Sequence, residues 1–286
     1  MIDISVIILT YNSEATIEKT IKSAMEVSKD IHIVDSFSSD RTLEIAQQHN
    51  VKLVQHEYVN YSAQRNWAIS NLTFNGNWQL HLDADERLTD NLISEIKSLL
   101  PLDSTCGYMI ARLVHFLERP IRHGGMFPIW HLRLFRSGYG RCEQRLYDQH
   151  FFIQGDICKL RHPFIDDHRN SLTEWIERHN RWSDAEVEEI SRTVERKDIE
   201  SRFFGNPIQN KRAYKNLYYK IPLFFRAFLV FFYRYFIRLG FLDGKEGLIF
   251  FTLQTFWFRF LVDAKLHEKI IKDAHNARSN GNKLAG

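Results

Sequence analysis

Three carboxylates occur within four consecutive positions at the end of a strand-like segment. They are Asp83, Asp85 and Glu86, and they follow residues 78–82, where apolar and polar residues alternate with the period of a β-strand. Negative charges this close repel one another unless a cation binds between them, and carboxylate oxygens are ligands that Mg²⁺ and Mn²⁺ prefer. The pattern predicts a divalent metal site to which Asp83 and Asp85 contribute. The alternative is an acidic turn before a helix that begins near Thr89.

The composition bounds the class of protein. A chain of 286 residues is long enough for one large domain, or for one domain with an appendage. A net charge of only +3 argues against a general nucleic-acid binder, so no nucleic-acid partner is expected. The three cysteines are widely spaced and form no CxxC pair, so we expect neither a disulfide framework nor a zinc site, and a reducing cytoplasmic compartment fits. The N-terminus enters a strand directly, without the features of a signal peptide.

Strand-like and helix-like segments alternate over the first part of the chain. The predicted strands are 4–9, 31–34, 51–54 and 78–82, and the predicted helices are 14–27, with Ser13 as N-cap, 41–49, 61–70 and 91–100. This order predicts an α/β fold with a mostly parallel sheet and helices on both faces. Ligands bind such sheets outside the carboxyl ends of the strands, where Thr10, Asp35 and Asp83 are expected to meet. Neither a Gly-x-Gly-x-x-Gly motif nor a Walker A loop is found, so a dinucleotide cofactor is not expected.

Three motifs, residues 6–12 (VIILTYN), 34–42 (VDSFSSDRT) and 82–86 (LDADE), occur in this order. Together they resemble the nucleotide-sugar domain of the family 2 glycosyltransferases, which are inverting enzymes with the GT-A (Rossmann-like) fold. The resemblance implies that Thr10 and Tyr11 line the nucleobase and that Asp35 hydrogen-bonds it. It also implies that Asp83 meets the ribose or the diphosphate and that Asp85 holds the metal. The full predicted nucleotide-sugar set is Thr10, Tyr11, Asn12, Asp35, Arg65, Asp83, Ala84 and Asp85.

Arg65 belongs to a segment, residues 61–67, that resembles the stretch approaching the donor between the third and fourth strands of the family. A guanidinium there is a fitting partner for a phosphate or a base. A solvated helix face is the alternative for this arginine. Mg²⁺ or Mn²⁺ would neutralise the charge that develops on a departing nucleoside diphosphate.

A second set of candidates follows the metal-binding strand. Residues 129–136 alternate again, which places His131 and Arg133 on related faces, and we expect them to contact the acceptor or a diphosphate. An inverting transfer also needs a carboxylate that removes a proton from the acceptor hydroxyl. Glu143 and Asp148 are the candidates, and Asp148 is favoured. The alternative is that Asp148 pairs with His150 or caps a turn.

The later part of the catalytic region indicates a branch within the family. Residues 147–168 resemble bacterial enzymes that build surface polysaccharides, including relatives of lipopolysaccharide-core transferases. The Gln-x-x-Arg-Trp signature of processive polymerising relatives is not found, because Arg178 stands where Gln would be needed. The addition of a single sugar is therefore favoured over chain polymerisation.

The C-terminal third is dense in aromatic residues between 214 and 241, with Arg226, Arg234 and Arg238 among them. Because these arginines interrupt the apolar run, a spanning helix is not expected, whereas a helix with an aromatic face and a basic border is typical of the membrane interface. A second such helix is predicted at 248–261, after a turn at 240–247. The alternative is that these helices pack on the catalytic domain or on a second subunit in a homo-oligomer.

These observations predict a catalytic domain (1–168), a helical membrane-interface or oligomerisation region (169–270) and a flexible tail (271–286). The predicted function is metal-dependent, inverting transfer of one sugar from a nucleoside-diphosphate sugar, most simply UDP-linked, to a lipid-linked glycan. The enzyme would be a peripheral protein on the cytoplasmic face of the inner membrane. The alternatives are a nucleotidyltransferase acting on sugar phosphates and a catalytically inactive membrane scaffold.

Overall fold

The computed structural model describes residues 2–145, 148–168, 171–191, 202–204 and 207–284. Tyr147 and the predicted end of a helix near residue 194 lie outside the described residues. The strands are β1 (Ile4–Thr10), β2 (Asp30–Asp35), β3 (Lys52–Gln55), β4 (Trp78–Asp83), β5 (Glu86–Leu88), β6 (Thr105–Phe116), β7 (Arg119–Pro120), β8 (Ile129–Arg136), β9 (Gly140–Cys142), β10 (Phe151–Ile153), β11 (Asp156–Lys159) and β12 (Phe164–His168). The α-helices are α1 (Ile17–Met25), α2 (Thr42–Gln47), α3 (Tyr61–Asn71), α4 (Asp90–Lys97), α5 (Leu172–Ser191), α6 (Pro207–Tyr219), α7 (Phe225–Phe232), α8 (Gly244–Phe251) and α9 (Phe258–Leu284).

The main sheet has the strand order β3-β2-β1-β4-β8-β6-β12-β5. The first four strands in this order are parallel to one another, as predicted. Beyond β4 the sheet becomes mixed, because β8 runs antiparallel to both β4 and β6 while β12 is parallel to β6. The predicted α/β fold of GT-A type is confirmed, with a parallel half that ends in the acidic motif and a mixed half that follows it in the chain.

Strand β1 lies at the centre of the parallel half and is buried on both faces, which explains its nearly continuous apolar sequence. Ile8 packs on one face with Ile17 and Ile21 of α1. Ile7 packs on the other face with Val34 and Ala68. The strand is therefore fixed from both sides, and its carboxyl end is a rigid platform for the residues that follow it.

The first helix begins later than predicted. Helix α1 starts at Ile17 with Thr16 as its N-cap, and no side chain caps it. Ser13 was wrongly predicted as the cap, since its hydroxyl donates to the carbonyl of Tyr11 at 3.0 Å. A longer loop therefore separates β1 from α1 and leaves residues 11–16 at the end of the strand.

Two other helix starts agree with the sequence. Thr89 caps α4, its hydroxyl accepting from the backbone N–H of Leu92 at 3.2 Å. Ser171 and Glu174 form the predicted capping box before α5, since each backbone N–H donates to the other side chain at 2.9 and 3.2 Å. The acidic turn therefore leads into a helix, as the alternative interpretation of the three carboxylates predicted. A helix at this position is compatible with a ligand at the turn.

The C-terminal helices pack on the catalytic domain, as the alternative for this region held. Phe250 and Phe251 lie in one apolar cluster with Val114 and Phe116 of β6 and Trp175 of α5. The predicted turn at 240–247 is a short 3₁₀ segment followed by the start of α8. Helix α9 extends through Leu284 and so covers most of the predicted flexible tail.

The arginines of the aromatic region do not all face outward, as a basic border would require. Arg226 is buried and pairs with Asp263, its Nε donating at 2.8 Å, and half-buried Arg234 contacts Met126. Arg238 is exposed. The helical run Gly240–Asn276 is long and apolar enough to cross a membrane by length and composition, and 39% of its apolar window is buried inside the protein. This run lies beyond Arg226, Arg234 and Arg238, so by length and composition the expectation that no helix could span a membrane is not met here.

Candidate active site

The carboxyl ends of three neighbouring strands bring the predicted donor-side residues together. Thr10 of β1 is in register with Asp35 of β2, and Leu9 is in register with Asp83 of β4. These positions are far apart in the sequence but adjacent at one sheet edge. The sheet therefore builds the cluster that the sequence motifs predicted, at the position where ligands bind parallel sheets.

On the β2 side, Asp35 is fully buried and held by the loop that follows it. Its carboxylate accepts from the backbone N–H of Ser38 at 2.9 Å and from the Gln55 side chain at 3.1 Å. Thr10 is also buried, and its hydroxyl oxygen has no hydrogen-bond partner within the described part of the chain. A buried hydroxyl without a partner is costly, so Thr10 retains bonding capacity that a ligand could use.

The loops after β1 and β2 hold one another through Asn12. The Asn12 side-chain oxygen accepts from the backbone N–H of Ser39 at 2.8 Å, and its own backbone N–H donates to the Ser38 hydroxyl at 2.9 Å. Two aromatic side chains remain exposed beside this junction, with 61% of Tyr11 and 58% of Phe37 accessible. Flat apolar surfaces of this kind suit stacking on a base. The sequence pointed to Tyr11 but not to Phe37.

On the β4 side, Asp83 lies among cations rather than in open solvent. Arg133 donates to one carboxylate oxygen at 3.1 Å, the Tyr61 hydroxyl donates to the other at 3.1 Å, and Arg65 also contacts it. Burial opposes ionisation, but Arg133 and Arg65 outweigh it and lower the pKa of Asp83 to about 2. The carboxylate is therefore charged at neutral pH, with 30% of its side chain still exposed.

Arg65 lies behind Asp83 and not on the helix surface. Its side chain is fully buried, and it donates to the carbonyls of Leu82 at 2.7 Å and Ile7 at 3.4 Å. The alternative of a solvated helix face is wrong, because α3 packs its arginine into the end of the sheet. In this arrangement Arg65 positions Asp83, and its predicted contact with a donor stays a prediction.

Glu86 is a buried member of the same cluster that the sequence did not assign to the site. It accepts from the backbone N–H of Asp83 at 2.9 Å and contacts Arg133. Burial raises the pKa of Glu86 to about 8, although Arg133 opposes the shift. A carboxyl group that is protonated at neutral pH does not add to the negative charge of this edge, so Glu86 supports Asp83 as a hydrogen-bonding group.

Asp85 and Ala84 lie in the turn between β4 and β5. Asp85 keeps 27% of its side chain exposed, and an Arg178 nitrogen from α5 lies 3.6 Å from its carboxylate. Ala84 is buried, with its carbonyl accepting from the Thr20 hydroxyl at 2.8 Å. Asp85 is thus presented to solvent at the end of a fixed turn, with a cation close by.

Arg133 and His131 lie on the same face of β8, as predicted, since both side chains contact the ring of Phe164. The guanidinium of Arg133 is already paired with Asp83 and Glu86. His131 lies beside His150, with ring centroids 6.1 Å apart. Burial lowers the pKa of His131 well below its usual value, and Arg112 and Arg133 lower it further, so this imidazole is neutral.

The two candidate bases differ in environment. Glu143 is 2% exposed and contacts Arg212 while accepting from the backbone N–H of His150 at 3.0 Å. Asp148 lies closer to solvent, with Lys211 Nζ at 2.6 Å from one carboxylate oxygen and Lys215 Nζ at 3.5 Å from the other. Burial raises the pKa of Asp148, but the two lysines outweigh it and hold the pKa well below its usual range.

Whether the strand-end residues fit a divalent ion depends on which carboxylates could bind it. Among the described residues, no three His, Cys, Asp or Glu side chains are arranged to hold a metal on their own. A Mg²⁺ ion is often held by one or two carboxylates together with substrate phosphates, and that mode needs no such cluster. Asp83 already binds Tyr61, Arg65 and Arg133, so Asp85, in the turn after β4, is the carboxylate of this motif that would hold the ion.

The strand order and the mixed α/β architecture define a protein of GT-A type, and the comparisons agree. The model of glycosyl transferase family 2 matches residues 5–169, so the chain belongs to that family. The protein is a glycosyltransferase.

Two relatives and a solved structure illustrate the similarity over most of its length. An uncharacterized glycosyltransferase of Rickettsia felis is 26% identical and one of Rickettsia conorii is 25% identical, each alignment covering 94% of this chain and 91% of the relative. A mannosyltransferase from Pyrobaculum calidifontis, solved in complex with GDP-Man and Mn²⁺, is 16% identical over 93% of this chain and 88% of its own, with a TM-score of 0.51. The last likeness is one of fold. The glycosyltransferase assignment makes the nucleotidyltransferase alternative unnecessary.

Proposed function

We propose that this glycosyltransferase takes one sugar from a nucleoside-diphosphate sugar, with UDP as its nucleotide, and transfers it with inversion to a lipid-linked glycan. The observation that carries the proposal is the meeting of Thr10, Asp35 and Asp83 at one sheet edge, with half-buried Asp85 in the turn that follows β4. The presence of both GDP-Man and Mn²⁺ in the structure of the Pyrobaculum mannosyltransferase supports a metal-assisted mode of donor binding here.

In this proposal the donor lies across the strand ends. Asp35 and the Thr10 hydroxyl bind the base, Tyr11 and Phe37 flank it, and Asp83 faces the ribose and diphosphate. Asp85 would hold Mg²⁺ or Mn²⁺, and the bound ion supplies charge neutralisation for the leaving group. Arg178 lies 3.6 Å from Asp85 and is placed to contact the same phosphates.

Asp148 is the proposed base. Its carboxylate takes the proton of an acceptor hydroxyl while that oxygen bonds to the anomeric carbon and the bond from this carbon to the diphosphate breaks. Glu143 suits this step less, because its buried carboxylate is already engaged by Arg212 and His150. The low pKa of Asp148 keeps its carboxylate ionised at neutral pH, which is the state that a base requires.

A panel of nucleotide sugars tests this function through slow hydrolysis of the donor, which needs no acceptor. We expect release of nucleoside diphosphate from UDP-sugars in the presence of Mg²⁺ or Mn²⁺. A purified, folded protein that hydrolyses none of the panel and binds no nucleoside diphosphate would support the inactive-scaffold alternative instead.

The same proposal places the enzyme on the inner face of the membrane as a peripheral protein. The helical segment 225–237 exposes apolar side chains at helical spacing, each about half accessible: Phe225, Phe228, Phe232, Tyr233, Phe236 and Ile237. A stripe of this kind suits the membrane interface, with Arg238 and Lys245 exposed nearby in the chain for anionic headgroups.

Vesicle sedimentation tests the membrane contact. The double variant Phe228→Ser, Phe232→Ser should bind phosphatidylglycerol-containing vesicles roughly tenfold more weakly than the wild type. Each substitution removes an aromatic ring that would be buried in the membrane interface. Leu102→Ser is the control, because Leu102 is 73% exposed in the loop after α4. Unchanged binding of the double variant, together with its conversion from oligomer to monomer, would assign the stripe to a subunit interface.

A further inference from the structure

Lys215 lies between two carboxylates that belong to different parts of the chain. Its Nζ is 3.5 Å from one carboxylate oxygen of Asp148 and 3.1 Å from a carboxylate oxygen of Glu186 on α5. Only 15% of the Lys215 side chain is exposed, so its ammonium group needs anionic partners in place of water. The lysine therefore connects the proposed base to a carboxylate that no sequence motif pointed to.

Glu186 is the fixed end of this connection. Its side chain is fully buried, and its carboxylate accepts from the Tyr219 hydroxyl at 2.6 Å. Arg259 of α9 donates to both of its oxygens, at 2.9 and 3.0 Å. Burial raises the pKa of Glu186, but Arg259 and Lys215 outweigh it and hold the pKa below its usual value. Glu186 is therefore ionised at neutral pH and is held by side chains of α6 and α9.

The charges around Glu186 allow Lys215 to serve both carboxylates. Arg259 can balance the charge of Glu186, so the charge of Lys215 is still available to Asp148. Lysine carries a compact charge on a flexible stem, and a lysine that contacted Asp148 alone would keep several conformations. Glu186 removes this freedom because it holds the ammonium group from the buried side. The position of the cation relative to Asp148 is thus set by a buried residue.

Two other side chains of α6 contact the same loop. Lys211 Nζ lies 2.6 Å from the other carboxylate oxygen of Asp148, and Arg212 donates to the backbone carbonyl of Asp148 at 3.0 Å. Three cations from one helix therefore hold Asp148, and Lys215 links them to α5. The orientation of the proposed base depends on where α6 lies, and Glu186 ties α6 to the helices behind it.

Resting on the proposed function, we propose that Glu186 is a positioning residue, which holds Lys215 where it orients Asp148 but leaves the carboxylate able to accept a proton. Without the charge of Glu186, the ammonium group of Lys215 would be drawn closer to Asp148. A closer ion pair would occupy the oxygen that must face the acceptor hydroxyl, so proton transfer would slow. Glu186 acts through Lys215 and touches none of the reacting atoms.

A double-mutant cycle on donor hydrolysis, with UDP affinity measured alongside, tests this inference. Glu186→Gln keeps the shape of the side chain and removes its charge. It should lower the hydrolysis rate about tenfold or more, while UDP affinity stays that of the wild type. In Asp148→Asn protein the same substitution should cause no further loss, because its effect passes through that carboxylate. Glu186→Asp, which keeps the charge, should retain more activity than Glu186→Gln.

Asp30→Asn is the matched control. Asp30 is a buried carboxylate that also contacts a lysine, with Lys52 Nζ at 2.6 Å, and it lies at the start of β2, at the opposite end of the strand from Asp35. The rate per folded molecule should be that of the wild type, since this pair has no part in the site.

Three results would overturn the inference: a wild-type rate in Glu186→Gln, an equal fractional loss from Glu186→Gln in the wild type and in Asp148→Asn, or an equal loss in Asp30→Asn. A wild-type protein that hydrolyses no donor would count against the proposed function instead. The unfolding free energies of Glu186→Gln, Asp148→Asn and the double variant would then decide the inference, because two residues that share Lys215 must be energetically coupled. Additive losses of stability would overturn it.

Discussion

The proposed donor and acceptor sides of the site are built in different ways. On the donor side, Thr10, Asp35 and Asp83 are placed by the backbone at the ends of three hydrogen-bonded strands. On the acceptor side, Asp148 is held by lysines of α6, more than sixty positions later in the chain. One side is fixed by sheet register, and the other depends on how a C-terminal helix packs.

This difference has a physical consequence for activity. Core packing holds the residues at the strand ends in place, because β1 is buried on both faces. The environment of Asp148 depends on ion pairs that α6 brings to it. We therefore expect changes in α6 to alter acceptor-side chemistry while donor binding persists, and the following predictions examine that separation.

Replacing the proposed base should have the largest effect. Asp148→Asn should lower the rate of sugar transfer or donor hydrolysis by about 10²–10⁴, the range typical of a lost general base. UDP affinity should remain that of the wild type, because Asp148 lies outside the donor-side cluster. Glu143→Gln provides the comparison, since its effect should fall mainly on stability. Wild-type hydrolysis by Asp148→Asn, with strong loss in a folded Glu143→Gln protein, would exchange the two assignments.

Breaking one buried ion pair on each side should be the next largest effect. Arg133→Met leaves Asp83 and Glu86 without their shared cation, and Arg226→Met leaves Asp263 unpaired among the C-terminal helices. In urea titrations Arg226→Met should lower the free energy of unfolding by about 3–5 kcal/mol, since Asp263 is left as an uncompensated buried charge. Arg133→Met should lower it by less, since Arg65 still contacts Asp83.

Only Arg133→Met should also weaken UDP binding, because Asp83 is the residue proposed to face the donor. Equal loss of UDP binding in a folded Arg226→Met protein would show that the C-terminal helices control the donor side as well.

The protonation of Glu86 should make stability depend on pH. The pKa of Glu86 in the folded state is about 8, above its ordinary value of 4.5, so the folded protein holds a proton that the unfolded chain releases between these values. The free energy of unfolding should fall as pH rises from about 5 to 8, and Glu86→Gln should flatten this dependence. An unchanged slope in Glu86→Gln, measured by urea titration at both pH values, would assign the dependence to another group.

Two helix caps give the smallest predicted effects. Ser171→Ala should lower the free energy of unfolding by about 1 kcal/mol, as is typical for a lost N-cap. Thr89→Ala should cost more, since the Thr89 hydroxyl also donates to the carbonyl of Pro163 at 2.8 Å. A larger loss of unfolding free energy in Ser171→Ala than in Thr89→Ala would contradict this order. It would mean that the cap of α5 contributes more to stability than the cap of α4.

Much of the proposed donor side could be predicted, because its residues directly follow strands in the sequence and therefore lie together in the structure. Strands buried on both faces have continuous apolar runs, and the residues directly after them must lie at one edge of a parallel sheet. The meeting of Asp35 and Asp83 at one sheet edge could therefore be predicted, and three short motifs were enough to identify glycosyl transferase family 2. Their binding roles stay predictions.

The remaining partners could not be predicted from local pattern. Arg65 has the sequence context of an ordinary helix residue, and only the packing of α3 shows that it is buried on Asp83. Lys211 belongs to a helix in a region whose aromatic content suggested a membrane role, and its contact with Asp148 is set by tertiary packing. Arg226 was expected at a membrane border, but a carboxylate 37 positions later draws it inward.

Titration of UDP into the protein with and without Mn²⁺ tests the central claim most directly, because it measures whether the strand-end carboxylates bind a nucleotide through a divalent ion. Wild-type protein should bind UDP at least tenfold more tightly with Mn²⁺, Asp85→Ala should lose this enhancement, and Asp90→Ala, in the exposed first turn of α4, should keep it. Equal UDP affinity with and without Mn²⁺, or full enhancement in Asp85→Ala, would contradict the account.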